Sequence, residues 1–324
     1  MRYTTTHIAG DNERATLDRI WAASQEADDR GFRPRDGWWS LSAWAASATL
    51  LLADGAPIGG LAVKLAPDGA LEARLALLPE RRTPEAARRL VRASREEVQA
   101  YSSARLRLTL PAQATWAREA ADAAGLTIAR STLVMLRPAS LGPLAATAAP
   151  GVAIRPTQPG EEGRVLHALN HAWAGTWNFR PLSRRALERD LVGQRDGFLV
   201  AVNAEGRLAG TVHAQFDLTG KNRDDGPLAW ISNLTTDPVW RGKGLGRALL
   251  GAGIAALHHR GATSVMLGVD AGAVAPLALY RSAGFVEVDR LELWEAQSKA
   301  HSIAEAPPQQ RTTAAASPIA AVVP

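Results

Sequence analysis

The fold of this chain is decided by residues 241–247, which read Arg241-Gly242-Lys243-Gly244-Leu245-Gly246-Arg247. They follow the apolar run Leu228-Ala229-Trp230-Ile231 and precede an apolar helical pattern over residues 248–258. This order predicts a strand, a glycine-rich turn and a helix. In such a turn, free N–H groups and the positive helix end point to one place, which favours an anion. The stretch therefore predicts a pyrophosphate site.

Two common nucleotide loops do not fit this spacing. A Walker A loop needs Ser or Thr after its lysine, whereas Lys243 is followed by Gly244. A dinucleotide loop needs glycines at its first, third and sixth positions, and counting from Gly242 the sixth position is Arg247. The spacing that remains is Arg-x-x-Gly-x-Gly, from Arg241 to Gly246.

With this spacing the chain resembles the GNAT superfamily of acyl-CoA-dependent N-acetyltransferases, whose acyl-CoA loop reads Gln/Arg-x-x-Gly-x-Gly/Ala. Upstream, Leu-Thr-Thr-Asp-Pro at 234–238 matches the end of the fourth strand of that family. Downstream, Leu-Tyr-Arg-Ser-Ala-Gly-Phe at 279–285 matches its second motif, Leu-Tyr-x-x-x-Gly-Phe. The two motifs occur in the family's order with a predicted strand between them, which makes the resemblance specific.

The resemblance implies acetyl-CoA as co-substrate and assigns the residues that hold it. Tyr280 would donate to the departing thiolate or orient the thioester. The fourth strand would pair with the pantetheine arm, and the loop would hold the pyrophosphate; the residues concerned are Leu234, Thr235, Thr236, Arg241, Gly242, Lys243, Gly244, Leu245, Gly246 and Arg247. The chain departs from the family pattern at Ala273, where an Asn is usual, and at Pro276, where an Ala is usual.

The general base is not where the family would place it. Many relatives carry a Glu eleven residues before the loop motif, and here that position is Trp230, which cannot accept a proton. The preceding strand alternates Thr211, His213, Gln215 and Asp217 with apolar residues, so the four polar groups share one face. We expect a wet cleft there, with His213 or Asp217 as the base. A hydrogen-bonded histidine without a catalytic role is the alternative.

The acceptor site is expected at the first helices of this half and the loop between them. Trp177 and Phe179 fall in that loop, and with Trp230 and Ser232 they would wall a small-molecule amine. An amino sugar, an amino-acid derivative and a natural-product amine all fit. The alternatives are a peptide or protein N-terminus, or a non-catalytic acyl-CoA-binding protein. His167 and His171 share a helix face without an evident third ligand, so no metal site is predicted.

The 324 residues show one order of elements twice, at a period of roughly 150 residues. We expect an α/β (α+β) fold of two tandem GNAT-like domains, each a mixed, mostly antiparallel sheet flanked by helices. Residues 1–138 would form a degenerate domain, because 78–83 lack glycine and Glu80 would repel phosphate. A linker (139–150), the catalytic domain (151–296) and a disordered tail (297–324) follow. The pairing resembles mycothiol synthase and other tandem acetyltransferases.

Composition excludes several classes. The chain has no cysteine, so disulfides and an acyl-cysteine intermediate are excluded. It has no apolar run of membrane-spanning length and no signal-peptide pattern, so we expect a cytoplasmic protein without a membrane partner. The net charge of +5 is interspersed with acidic residues, so nucleic acid is not an expected partner. The oligomeric state stays open.

Overall fold

The computed structural model describes residues 2–28, 41, 45–66, 68–101, 103, 105–145, 151–176, 179–222 and 226–296, with the backbone alone for 217–222 and 226–228. The predicted tail and residues 146–150 of the predicted linker lie outside them. The strands are β1 (Tyr3–His7), β2 (Ser47–Ala53), β3 (Ala56–Leu65), β4 (Leu71–Leu77), β5 (Leu106–Pro111), β6 (Leu126–Pro138), β7 (Val152–Pro156), β8 (Phe198–Asn203), β9 (Leu208–Asn222), β10 (Gly226–Thr236), β11 (Ser264–Asp270) and β12 (Val286–Ala296). The helices are α1 (Asp11–Asp28), α2 (Pro84–Ala100), α3 (Thr115–Ala123), α4 (Glu162–Trp173), α5 (Arg184–Leu191), α6 (Leu245–His259) and α7 (Val274–Ser282).

All twelve strands form one sheet, in the order β1-β2-β3-β4-β5-β12-β6-β11-β10-β9-β8-β7. Neighbours are antiparallel except for the parallel pairs β4–β5 and β10–β11. The mixed, mostly antiparallel α/β fold predicted from the sequence is confirmed. No helix in the described part of the chain is long and apolar enough to cross a membrane.

The two halves exchange their last strands. β6, which ends the first half, pairs with β11 of the second half from Ser264–Pro138 to Asp270–Thr132. β12, which ends the second half, pairs with β5 of the first half from Leu291–Pro111 to Glu295–Arg107, and with β6 on its other side. Element order alone did not predict this exchange. The predicted linker at residues 139–150 does not separate two sheets. A division of the chain there remains a proposal about an ancestral duplication.

The sheet has two unlike faces. One, the α6 face, is covered by α2, α3, α6 and α7, whose apolar residues form the two largest clusters of buried side chains. The other, the α4 face, carries α1 over the first half and α4 with α5 over the second. At the sheet centre, β6 and β11 bury most of their α6-face residues, yet Thr132, Gly268, Leu291 and Leu293 on the α4 face are only half-buried. We call these four residues and Arg130 the central trough.

A buried arginine fastens the exchanged strand β12 to the first half. Arg107 on β5 is 2% exposed and donates from Nε to the Glu295 carboxylate of β12 (2.7 Å). Its two terminal nitrogens donate to both carboxylate oxygens of Asp68 (2.9 and 2.7 Å). Bidentate pairs of this kind are the strong form of charge-assisted hydrogen bond, and they satisfy a guanidinium that would be costly to bury alone.

Because each half contains a strand of the other, we predict that the described halves unfold in one cooperative transition. Far-ultraviolet circular dichroism and tryptophan fluorescence should report the same Tm, and two separate transitions would contradict the interlock. Arg107→Met should lower the free energy of unfolding by about 1 to 2 kcal/mol, since it removes the buried guanidinium that joins Asp68 to Glu295, while Arg105 still pairs with both carboxylates. Arg290→Met, which breaks an exposed pair with Glu287 on the same strand, should change it by less than about 0.5 kcal/mol.

Candidate active site

A bulge in β10 parts this strand from β11. Asn233 has a φ of 50°, and the pairing of β10 with β9 shifts register between Ser232 and Thr235. Asparagine tolerates this left-handed conformation better than most residues, and a bulge bends its strand. β10 and β11 pair only at Trp230–Met266 and Ile231–Leu267. Beyond Ile231 the two strands diverge, and the gap between them is called the strand cleft below.

Thr211 holds the bulge from the neighbouring strand. Its buried hydroxyl donates to the Asn233 carbonyl oxygen (2.7 Å) and shares a hydrogen bond with the Thr235 hydroxyl (2.8 Å). Since a buried hydroxyl without partners is costly, this pairing stabilises the bent strand. Thr211 therefore supports the cleft from behind and does not line a wet surface.

The glycine-rich loop stands at the mouth of the strand cleft. Gly242 and Gly244 have φ values of 73° and 81°, in the left-handed region where glycine is favoured. Gly244 caps α6 without a side-chain acceptor. Among the described residues, no acceptor is recorded for the backbone N–H groups of residues 242–247. The exposed residues 242–244 and the positive end of α6 therefore present backbone N–H groups together, which is the arrangement that binds phosphate.

The loop is also electropositive. Within the described part of the chain, Arg241, Lys243 and Arg247 form no ion pair with a carboxylate. Arg247 instead donates to the Ser282 hydroxyl (3.1 Å), and Lys243 lies over the Trp240 ring at 5.2 Å. Their charges therefore remain available to an anion at the loop.

The equivalent loop of the first half is built differently. Thr83 caps α2 by accepting a hydrogen bond from the Ala86 N–H (3.2 Å), and Pro84 at the first helical position has no N–H to offer. Arg82 is drawn away to the Asp28 carboxylate (2.8 Å). The first N–H groups of α2 are therefore capped within the chain and are less available to a phosphate. Residues 78–83 also contain no glycine that would let an anion approach the backbone closely.

Tyr280 lies in α7 with its ring almost completely buried and edge-on to Phe285 at 6.0 Å. Burial raises the pKa of its phenol, so the hydroxyl stays protonated at neutral pH and can donate. Gly284, at a φ of 87°, ends the helix and lets the Phe285 N–H bond back to the Tyr280 carbonyl oxygen (3.0 Å). The Leu-Tyr-x-x-x-Gly-Phe motif is thus also a helix terminator.

The structure corrects the expectation that His213 lines a wet cleft. Its side chain is 0% exposed, its ring centroid lies 4.8 Å from that of Phe198, and neither ring nitrogen has a hydrogen-bond partner among the described residues. Burial and, secondarily, the charge of Arg260 lower its pKa to about 3. A group this weakly basic and shut off from solvent is a poor proton acceptor at neutral pH. Alternation located the face correctly, but α4 and α5 cover it.

The other residues predicted for the base and the acceptor site lie in different surroundings. Gln215 is half-buried and accepts a hydrogen bond from the Ser232 hydroxyl (2.8 Å), while the side chain of Asp217 lies outside the described residues. Trp230 is mostly buried and packs on the α4 face with Val134 and Met266. Ser232 and Trp230 therefore share the face that an acceptor would approach.

The loop before α5 joins the two halves. Trp177 lies outside the described residues, and Phe179 packs against the apolar cluster of α4 and α5, which is a structural contact. Arg180 donates to the Glu72 carboxylate of β4 (3.1 Å), a contact with the first half that the sequence did not indicate. His167 and His171 stack at 6.1 Å, and the described residues contain no group of three metal-ligand side chains.

We predict that His213→Leu keeps catalytic turnover and improves acid tolerance. In the unfolded chain a histidine takes up its proton near pH 6.5, but in the folded protein only near about 3. Wild-type stability should therefore fall as the pH drops from 6.5 towards 3, and the variant should lack this part of the loss. Urea unfolding at pH 7 and pH 5 measures it.

The exposed His259→Leu is the control and should follow the wild type. At pH 7, losing two unpaired ring nitrogens should offset imperfect packing, leaving His213→Leu within about 1 kcal/mol of wild type. A large fall in kcat would reinstate His213 as a catalytic group.

The sequence of this chain is similar to those of known acetyltransferases. Residues 164–285 match the model of the acetyltransferase (GNAT) family. A mycothiol acetyltransferase of Thermobispora bispora is 39% identical over 172 residues, 50% of this chain and 55% of that protein. One from Thermomonospora curvata is 32% identical over 256 residues, 76% of this chain and 81% of that protein. The chain thus matches little more than half the length of the first relative.

Solved structures agree on the fold. A GCN5-related N-acetyltransferase from Sphaerobacter thermophilus superposes with a TM-score of 0.67 at 23% identity, covering 90% of this chain and 95% of that one. A tandem GNAT protein from the clavulanic acid biosynthesis pathway gives a TM-score of 0.68 at 21% identity, covering 93% and 100%. With the family model and the relative matched over four-fifths of its length, these findings show that the chain belongs to the GNAT acetyltransferase family.

Proposed function

We propose that this protein transfers the acetyl group of acetyl-CoA directly to a primary amine of a small molecule. The observation that carries the proposal is the strand cleft between β10 and β11, which leads to the glycine-rich loop, whose backbone N–H groups have no acceptor within the described part of the chain. The first half has a self-capped helix at the same place. One acetyl-CoA site per chain is therefore proposed, in the second half.

Acetyl-CoA would lie along the edge of β10 that the cleft exposes. Backbone groups of Leu234, Thr235 and Thr236 would pair with the pantetheine arm, and the N–H groups of the loop would hold the pyrophosphate. Gly246 lies beside Thr236 at the start of α6, where a Cβ would be in ordinary contact with the threonine hydroxyl oxygen at 3.6 Å.

The reaction joins a neutral amine to the thioester carbonyl carbon. The C–N bond forms, the C–S bond breaks, and the departing thiolate takes a proton from Tyr280, which is then resupplied by the reacting amine. The chain contains no cysteine, so the acetyl group passes directly without an acyl-cysteine. Because burial raises the pKa of Tyr280, its hydroxyl is protonated when the thiolate forms, and it gives up that proton only as the reacting amine replaces it.

The acceptor is proposed to be a small molecule because of the relatives. Those in Thermobispora bispora and Thermomonospora curvata are named mycothiol acetyltransferases, so the unacetylated precursor of mycothiol is the first acceptor to test. Amino sugars and amino-acid derivatives come next. A peptide N-terminus is the alternative substrate.

A non-catalytic acyl-CoA-binding protein is the second candidate function. The observation that favours it is Trp230, which stands where many GNAT enzymes carry a base and is mostly buried. This candidate predicts tight acetyl-CoA binding without release of CoA in the presence of any amine.

A thiol-release assay over an amine panel, combined with calorimetric titration of acetyl-CoA, tests both. We predict CoA release for at least one small amine, and a 10- to 100-fold lower kcat for Tyr280→Phe at an unchanged acetyl-CoA Kd. The phenylalanine keeps the ring packing, and Tyr101→Phe in the first half is the matched control. Binding without release would favour the second candidate, and no binding would refute both.

A further inference from the structure

The central trough lies where the halves meet and faces the acceptor side of the sheet. Its residues occupy strands β12, β6 and β11 in the middle of twelve, where both faces of a sheet are normally covered. On the α6 face these strands are mostly buried, with Leu267 and Val269 at most 1% exposed. On the α4 face Thr132 and Gly268 are only half-buried. The floor of the sheet is therefore accessible beside the strand cleft.

Trp230 and Asp270 stand on opposite sides of this accessible floor. A built Cβ on Gly268 lies 3.5 Å from the Trp230 ring and 4.0 Å from the Thr132 methyl group. The small residues at 268 and 132 thus leave a recess, with the indole as one wall. Asp270, two residues further along β11 and directly opposite Thr132, lies on the same face and forms the other wall.

Asp270 ends β11 at the strand cleft. Three residues beyond the last pair, Ile231–Leu267, and with the extra residue of the β10 bulge, Asp270 lies near the level of Leu234 and Thr235, where the cleft exposes the edge of β10. The Asp270 side chain is 12% exposed, so its carboxylate is sheltered but reachable. It is therefore a carboxylate on the acceptor side of the sheet, beside the backbone proposed to hold the pantetheine arm.

Two contacts fix the orientation of this carboxylate. One oxygen accepts a hydrogen bond from the Gly272 N–H (2.7 Å), and the other is bound by the Arg130 guanidinium. Arg130 belongs to β6, the strand that the first half contributes. The position of Asp270 therefore depends on the strand exchange.

We propose that Asp270 binds the ammonium group of the acceptor and takes its first proton, the role that Trp230 cannot fill. The inference rests on the proposed function. One proton of R–NH3⁺ passes to the carboxylate and then to solvent, and the neutral amine attacks the thioester. The second proton leaves with the thiolate as CoA–SH, so the products are the amide, CoA and one proton. Arg130 is a positioning residue, and the acceptor class is a basic primary amine small enough for the recess.

The test compares amines of different basicity with the full-length wild type and Asp270→Asn. The asparagine keeps an acceptor for the Gly272 N–H but can neither bind an ammonium strongly nor take its proton. With an aliphatic amine that is protonated at the assay pH, kcat/KM should fall at least 100-fold. With a weakly basic amine that is already neutral, the loss should be less than 10-fold. A merely structural role would reduce both equally.

Three further variants separate the explanations. Asp270→Glu should recover part of the lost rate, and Arg130→Gln should reduce it by an intermediate factor, with a larger effect on the basic amine. Glu287→Gln removes an exposed carboxylate of the neighbouring strand β12 and should leave the rate unchanged. All should keep the wild-type acetyl-CoA Kd, which checks folding of the site.

Two outcomes would overturn the inference, and they differ from failure of the proposed function. If wild type releases CoA but Asp270→Asn retains full rate with the basic amine, Asp270 has no role in proton removal. An equal loss of kcat/KM with both amines would assign Asp270 a structural role. If Asp270→Asn folds poorly, the Asp270→Glu and Arg130→Gln variants decide between the two roles. If wild type binds acetyl-CoA and acetylates nothing, the proposed function itself fails.

Discussion

The separation of β10 from β11 is the constraint on which the rest of the site depends. Two parallel strands in the middle of a sheet normally share a full ladder of hydrogen bonds, yet here the ladder stops after Ile231–Leu267. The cause is local, since Asn233 bulges outward and Thr211 satisfies its carbonyl group from behind. The parted edge, the glycine loop beyond it and the start of α6 then follow in sequence, so one irregularity brings backbone donors to the place where an acyl carrier needs them.

The strand exchange gives the first half a physical role without requiring a second active site. β6 forms part of the floor beside the strand cleft, and Arg130 on that strand holds Asp270 of the second half. Arg180 reaches back to Glu72, and Arg107 fastens β12. All three ion pairs cross from one half to the other. A half without the glycine-rich loop can therefore contribute to the proposed acceptor side of the other half, because part of that side is built from its residues.

The sequence predicted well what is decided locally. Positive φ at Gly242 and Gly244, and the helix end at Gly284, are properties of short segments, so spacing alone located them. Alternation also assigned Thr211, His213 and Gln215 to one face of β9. It could not show that α4 and α5, which come earlier in the chain, cover that face, so His213 was expected in a cleft and is buried. The Arg130–Asp270 pair, whose members are 140 residues apart in the chain, depends on the strand exchange and leaves no local signal.

Calorimetric titration measures whether acetyl-CoA binds at a single site, the strand cleft with its loop. We expect one molecule bound per chain, and no detectable binding by Gly244→Glu, which places a charged side chain at a left-handed position among the phosphate donors. Gly206→Glu, with the same charge and a φ of 74° in a remote turn, should bind like wild type, as should Glu80→Ala in the first half. Two molecules per chain, or undiminished binding by Gly244→Glu, would contradict the single site.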